Sequence, residues 1–96
     1  MKREQKSALE KDIIEFAKNS DKVGAIIVGS DDETVETIYY LILKDEKLDS
    51  KFANKVSKFD ISLARKYPEC QYELIEIPGK ISAAFRYAGK EIWYSS

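Results

Sequence analysis

Between residues 48 and 63 the apolar side chains Leu48, Phe52, Val56, Phe59 and Leu63 recur at steps of four, four, three and four, which lays one stripe along an α-helix. Segments rich in β-branched and aromatic residues flank this helix on both sides. Read as strands, these segments set a strand, a long helix and another strand in succession. Two strands joined through such a helix lie parallel, by a right-handed crossover that sets the helix on one face of their sheet. The helix ends near Lys66, because Pro68 drives Tyr67 away from helical dihedrals.

The remaining elements follow from periodicity and punctuation. Ser7 and Glu10 have capping-box spacing, and Leu9, Ile13, Phe16 and Ala17 follow at helical intervals, so a first helix is expected over 7–18, with an earlier start left open. Asn19, Ser20 and Asp21 break it, and Val23 to Val28 is a short β-branched run bounded by Gly29, which reads as a buried strand. Residues 33–44 admit two readings. Val35, Ile38, Tyr39 and Ile42 line one helical face, yet Thr34, Val35, Thr37, Ile38, Tyr39, Tyr40 and Ile42 are β-branched or aromatic and favour a strand paired as a hairpin with the one before. Cys70 to Ile77, Ile81 to Tyr87 and Glu91 to Tyr94 are three further expected strands, separated by Pro78-Gly79 and Ala88-Gly89-Lys90. The expected fold is α+β: a two-layer sandwich with a mixed, mainly antiparallel sheet of about five strands and two helices, in the order α-β-β-α-β-β-β.

Ninety-six residues, 44% hydrophobic and 34% charged, suit a single α+β domain spanning 1–96 with no second module. A net charge of −1 gives no global attraction to nucleic acid or acidic lipid, so polyanion binding would need a local patch. The sequence contains no His, which removes imidazole bases, the usual nucleophilic triads and the commonest zinc ligand. Cys70 stands alone, and Met1 leads into Lys2, Arg3, Glu4, Gln5 and Lys6; the expected compartment is cytoplasmic. No apolar run approaches the roughly 20 residues of a bilayer crossing, so no membrane contact is expected.

Few constellations carry chemistry. Asp31, Asp32, Glu33 and Glu36 gather four acids beside Gly29, which can offer oxygens to Mg²⁺ or Ca²⁺, although acids in a tight turn also serve local backbone hydrogen bonding. Glu73 and Glu76 point to opposite faces of a strand and form no acid-base pair. Cys70 reads as a packing residue. Lys47, Lys51, Lys58 and Arg65 fall on one side of the second helix as a basic ridge able to track phosphates, with Tyr67 or Tyr72 as stacking partners. There is no RNP aromatic motif and no GXXG loop. No catalytic residue and no cofactor is assigned.

Gly29-Ser30, entered from Ala25-Ile26-Ile27-Val28, resembles the opening of the minimal nucleotidyltransferase domains, which place a Gly-Ser turn after their first strand. That resemblance implies two metal-binding aspartates spaced by one residue at the start of the next strand. This chain has Tyr39, Tyr40 and Leu41 there, so the resemblance implies a degenerate nucleotide or metal binder without the catalytic carboxylates. The order of elements, separately, resembles that of roadblock-type dimerisation domains.

The strands are apolar on both faces. Tyr39, Leu41 and Leu43 alternate with Ile38, Tyr40 and Ile42, Tyr72 and Leu74 oppose Ile75 and Ile77, and Trp93 opposes Ile92 and Tyr94, whereas a one-sided antiparallel sheet shows water a polar face. The two helices can sit on opposite faces, or share one face and leave the other for a partner; the second arrangement is the expectation. The sequence thus reads as a non-catalytic interaction or regulatory module, a homodimer or a binder of another protein, with Tyr40, Ile38, Ile42, Tyr72, Trp93 and Tyr94 at the interface. Nucleic-acid binding through the basic ridge is the alternative.

Overall fold

The computed structural model describes residues 3–30, 37–45, 49–79 and 89–95. Helix α1 spans Arg3–Lys18. It begins four residues before the capping-box position, since Arg3, Glu4, Gln5 and Lys6 are all strong helix formers and carry the helix past Ser7. Leu9, Ile13 and Ala17 are its buried stripe. The chain leaves α1 through Asn19 and Ser20, whose N–H groups donate to the Glu15 and Ala17 carbonyls at 3.1 Å each, and enters β1, Val23–Ser30.

Strand β2, Thr37–Leu43, resolves the two readings of residues 33–44 over its length. It is a central strand, antiparallel to β1 and parallel to β3, and its stiff β-branched and aromatic side chains suit a pleated surface packed on both sides. Helix α2, Ser50–Lys66, follows, with Asp49 as N-cap accepting from the Lys51 N–H at 2.9 Å and the Tyr67 N–H donating to the Leu63 carbonyl at 2.8 Å. The expected stop at Lys66 holds. Strand β3, Tyr72–Ile77, begins two residues later than expected, because the Cys70 N–H donates to the Tyr67 carbonyl and keeps Cys70 in the turn. Strand β4 is Lys90–Tyr94. The expected strand over 81–87 lies outside the described residues.

The fold is α+β, with two helices and a four-stranded mixed sheet in the order β3-β2-β1-β4 among the described residues. Only β2 and β3, the pair joined through α2, run parallel. Both helices pack on the same face. Leu9, Ile13 and Ala17 from α1 share one core cluster with Phe52, Val56 and Leu63 from α2 and with Ile26, Tyr39, Leu41 and Leu43 from the sheet. Ala25, Ile27, Ile42 and Ile77 form a second cluster, joined by Tyr40 and Ile75, on the opposite face. At 1%, 0%, 3% and 6% exposed within the lone chain, these four correct the expectation of an open second face: its middle is closed without a partner.

Candidate interaction surfaces

Sheet alternation decides where the six expected interface residues go. Ile38, Tyr40 and Ile42 share the face turned away from the helices, with Tyr40 in register between Ile27 and Ile75. Tyr94, opposite Ala25, joins that side and is 58% exposed. Ile38 and Tyr40 are half-buried, whereas Ile42 is sealed inside its own chain and offers no surface. Tyr72 and Trp93 belong to the other side. Trp93 lies opposite Ile26 and packs on the helix-side core, and the Tyr72 hydroxyl donates to Asp60 of α2, at 2.8 Å to Oδ1 and 3.0 Å to the carbonyl oxygen. The six residues therefore divide between two faces.

The Tyr72–Asp60 bond stands with two other tyrosine–carboxylate pairs among the described residues that the sequence reading missed. Tyr39, fully buried under the helices, donates to Glu10 Oε2 of α1 at 2.9 Å. Tyr67, at the C-cap of α2, donates to Asp12 Oδ2 at 2.7 Å, and the Lys66 ammonium sits 2.9 Å from the same oxygen. Burial raises the pKa of the Tyr39 and Tyr72 hydroxyls and the facing carboxylates raise it further; at Tyr67 the Asp12 bond is the larger cause. Burial pushes the Asp12 carboxyl up, but Tyr67 and Lys66 outweigh it and hold it below the usual aspartate value. Each pair joins elements distant in sequence, so no local pattern announces it. Tyr67 and Tyr72 are consequently committed to the fold, which corrects their reading as stacking platforms for bases.

On α2, Lys51, Lys58 and Arg65 are exposed, as the basic ridge requires, and Lys55 and Lys66, missed before, extend it. Lys47 lies outside the described residues, as do Asp31, Asp32, Glu33 and Glu36. Among the described residues no group of three or more His, Cys, Asp or Glu is placed to hold a metal, and no helix is long and apolar enough to cross a membrane. Cys70 is a buried free thiol. Glu73 is exposed, while Glu76 is half-buried with Oε2 lacking a hydrogen-bond partner, and burial raises its pKa.

Where the end of α1 meets the start of α2 there is a cleft of about 440 Å³, lined by Phe16, Ser20, Lys22, Asp49, Lys51 and Lys55 among others. Its aromatic floor is already engaged. The Phe16 ring stacks on Phe59 at 4.2 Å and 9° and on Phe52 at 6.0 Å and 30°. Lys22 bridges Asp45 at 3.3 Å and Asp49 at 3.8 Å, which raises its pKa and leaves Lys51 and Lys55 as the cleft's lysines without an acid partner among the described residues.

No protein-family model, no curated protein and no solved structure matches the chain.

Proposed function

We propose that the protein is a non-catalytic interaction module that pairs with a second copy of itself along the side of the sheet away from its helices. The reading is carried by one observation: α1 and α2 share a single face. Ile38, Tyr40 and Tyr94 are thereby left on a side that neither helix covers. Tyr side chains supply large apolar area at little entropic cost and are enriched at interface centres. The closed cluster of Ile27, Ile42 and Ile77 on the same face packs against Tyr40 and holds it in place. The two-layer sandwich of about five strands, with 81–87 as the fifth, belongs to the same proposal. The lack of any His for acid-base chemistry supports a role in assembly rather than in turnover.

Sedimentation velocity at micromolar concentration tests this. The expected result is a dimer that Tyr40→Arg and Tyr94→Arg together convert to monomer while the far-ultraviolet spectrum stays native. A strict monomer, or a dimer indifferent to both substitutions, would overturn it.

A further inference from the structure

We infer that the outer face of α2 is a binding site for the phosphate backbone of nucleic acid, engaged without base readout. Lys51, Lys55, Lys58, Arg65 and Lys66 follow one another at steps of four, three, seven and one, which keeps all five on one stripe of the helix. All five are exposed. From Lys51 to Lys66 the stripe runs about 22 Å at the α-helical rise. The single acid of α2, Asp60, is turned toward β3, where it accepts from Tyr72. Lys66 is paired with Asp12. Lys51, Lys55, Lys58 and Arg65 have no acid partner among the described residues.

Ordinary solvation does not account for this face, and α1 of the same chain supplies the control. Over Arg3–Lys18 four basic residues are matched by Glu4, Glu10, Asp12 and Glu15, the mixed pattern that favours helix stability and solubility. Helix α2 has five basic residues against one acid, a net +4, inside a chain whose total is −1; everything outside α2 therefore sums to −5. Lys51 and Lys55 at i and i+4, and Lys55 and Lys58 at i and i+3, repel along the helix. Lys51 also sits in the first turn, where the helix dipole disfavours a cation, and the one carboxylate at that end, the Asp49 N-cap, is shared with Lys22. The sequence accepts these costs along one stripe only.

The chemistry of the stripe favours nucleic acid over other anionic partners. Lys is depleted at protein interfaces, and this face has no aromatic anchor. Ile61, 56% exposed beside Lys58 and Arg65, is its only large exposed hydrophobic, which is too little to insert into a lipid headgroup layer. The short side chain of Ser62 stands between the cations and lets a backbone approach. Tyr67 and Tyr72 are bonded to carboxylates and Phe16 is stacked on two rings, so none of these rings is available to stack on a base. Binding of this kind depends on charge and ignores sequence.

The test uses the full chain and a short fluorescent DNA duplex titrated over a salt series. Four unpaired cations predict a slope of log affinity against log salt of about −3.6, a loss of about a hundredfold between 50 and 200 mM salt. Lys58→Glu with Arg65→Glu should abolish binding, whereas Lys11→Glu with Lys18→Glu, the same charge change on α1, should leave at least half the affinity. Melting temperatures check that both variants fold. Absence of binding at 50 mM salt, equal loss in the two double variants, discrimination between duplex sequences, or tighter binding to phosphatidylserine vesicles than to duplex would each overturn the assignment. The stripe and the proposed dimer surface lie on opposite sides of the sheet, so the two proposals can fail separately.

Discussion

At the scale of single residues, the buried polar groups of this protein are its most sensitive points. The Tyr39 hydroxyl has left water and is compensated by one bond to the Glu10 carboxylate. Tyr39→Phe should therefore cost roughly 1.5–3 kcal/mol in denaturant unfolding near neutral pH, the range for a hydrogen bond to a charged group. Tyr39, Tyr67 and Tyr72 all have folded-state pKa values raised above 10.0. Their contribution is fully present below pH 10 and is lost as pH rises from there toward the folded-state values. An alkaline unfolding limb should appear, and it should be shallower in Tyr39→Phe. Glu76 behaves differently. Burial raises its folded-state pKa above 4.5, so stability is higher while it is protonated and falls as pH rises through the folded-state value. Glu76→Gln removes a desolvated charge; it should gain about 1 kcal/mol at neutral pH and cancel that part of the pH slope in chemical unfolding. A loss of stability in this variant would mean that the ionised carboxylate is held by a favourable interaction.

At the scale of elements, α2 and the strands around it were legible because their periods are local. The four-four-three-four stripe and Pro68 beyond its end mark one helix and its stop from sequence alone, whereas its start at the Asp49 cap is a finding of the structure. The β-branched run over 37–43 became a central strand because neighbours on both sides suit stiff side chains. The strand register was less legible. β1 shifts between Val23 and Ala25, and the β1–β4 pairing shifts between Ile26 and Ile27, so alternation counted along β4 alone does not tell which of Ile92 and Trp93 faces the helices; both pack there. Gly89 holds β4 against β1 by close backbone approach. A Cβ added to it would lie 2.2 Å from the Val28 carbonyl oxygen and 2.8 Å from its carbon. Because backbone cannot step aside as a side chain can, Gly89→Ala should cost roughly 1–3 kcal/mol. Hydrogen exchange should show Ile92 to Tyr94 losing protection first, and unchanged protection there would remove the close-approach explanation.

At the scale of the whole molecule, the chain separates its surfaces by side. One face of the sheet is buried under both helices, the other has its centre closed and Tyr94 at its margin, and the outermost layer presents the cations of α2. The net charge of −1 conceals this arrangement, since a sum over the chain discards position. The basic ridge was visible in the sequence because a helix converts spacing directly into a stripe. The sheet surface was not, because membership of a face depends on register and on which side the helices occupy. Tyr72 and Trp93 show the consequence: as aromatic strand residues they matched an interface in composition, and they serve the core in place.

The sequence by itself determined the two helices, the parallel pairing across α2 and the alternation of each strand, because these rest on interactions within a few residues or on the handedness of a single connection. Only the tertiary structure decided which apolar face is sealed, which tyrosines are bonded to which carboxylates, and that Ile42 is unavailable to a partner. Those outcomes depend on contacts between residues far apart along the chain, such as Tyr39 with Glu10 and Tyr67 with Asp12, and no local period encodes them.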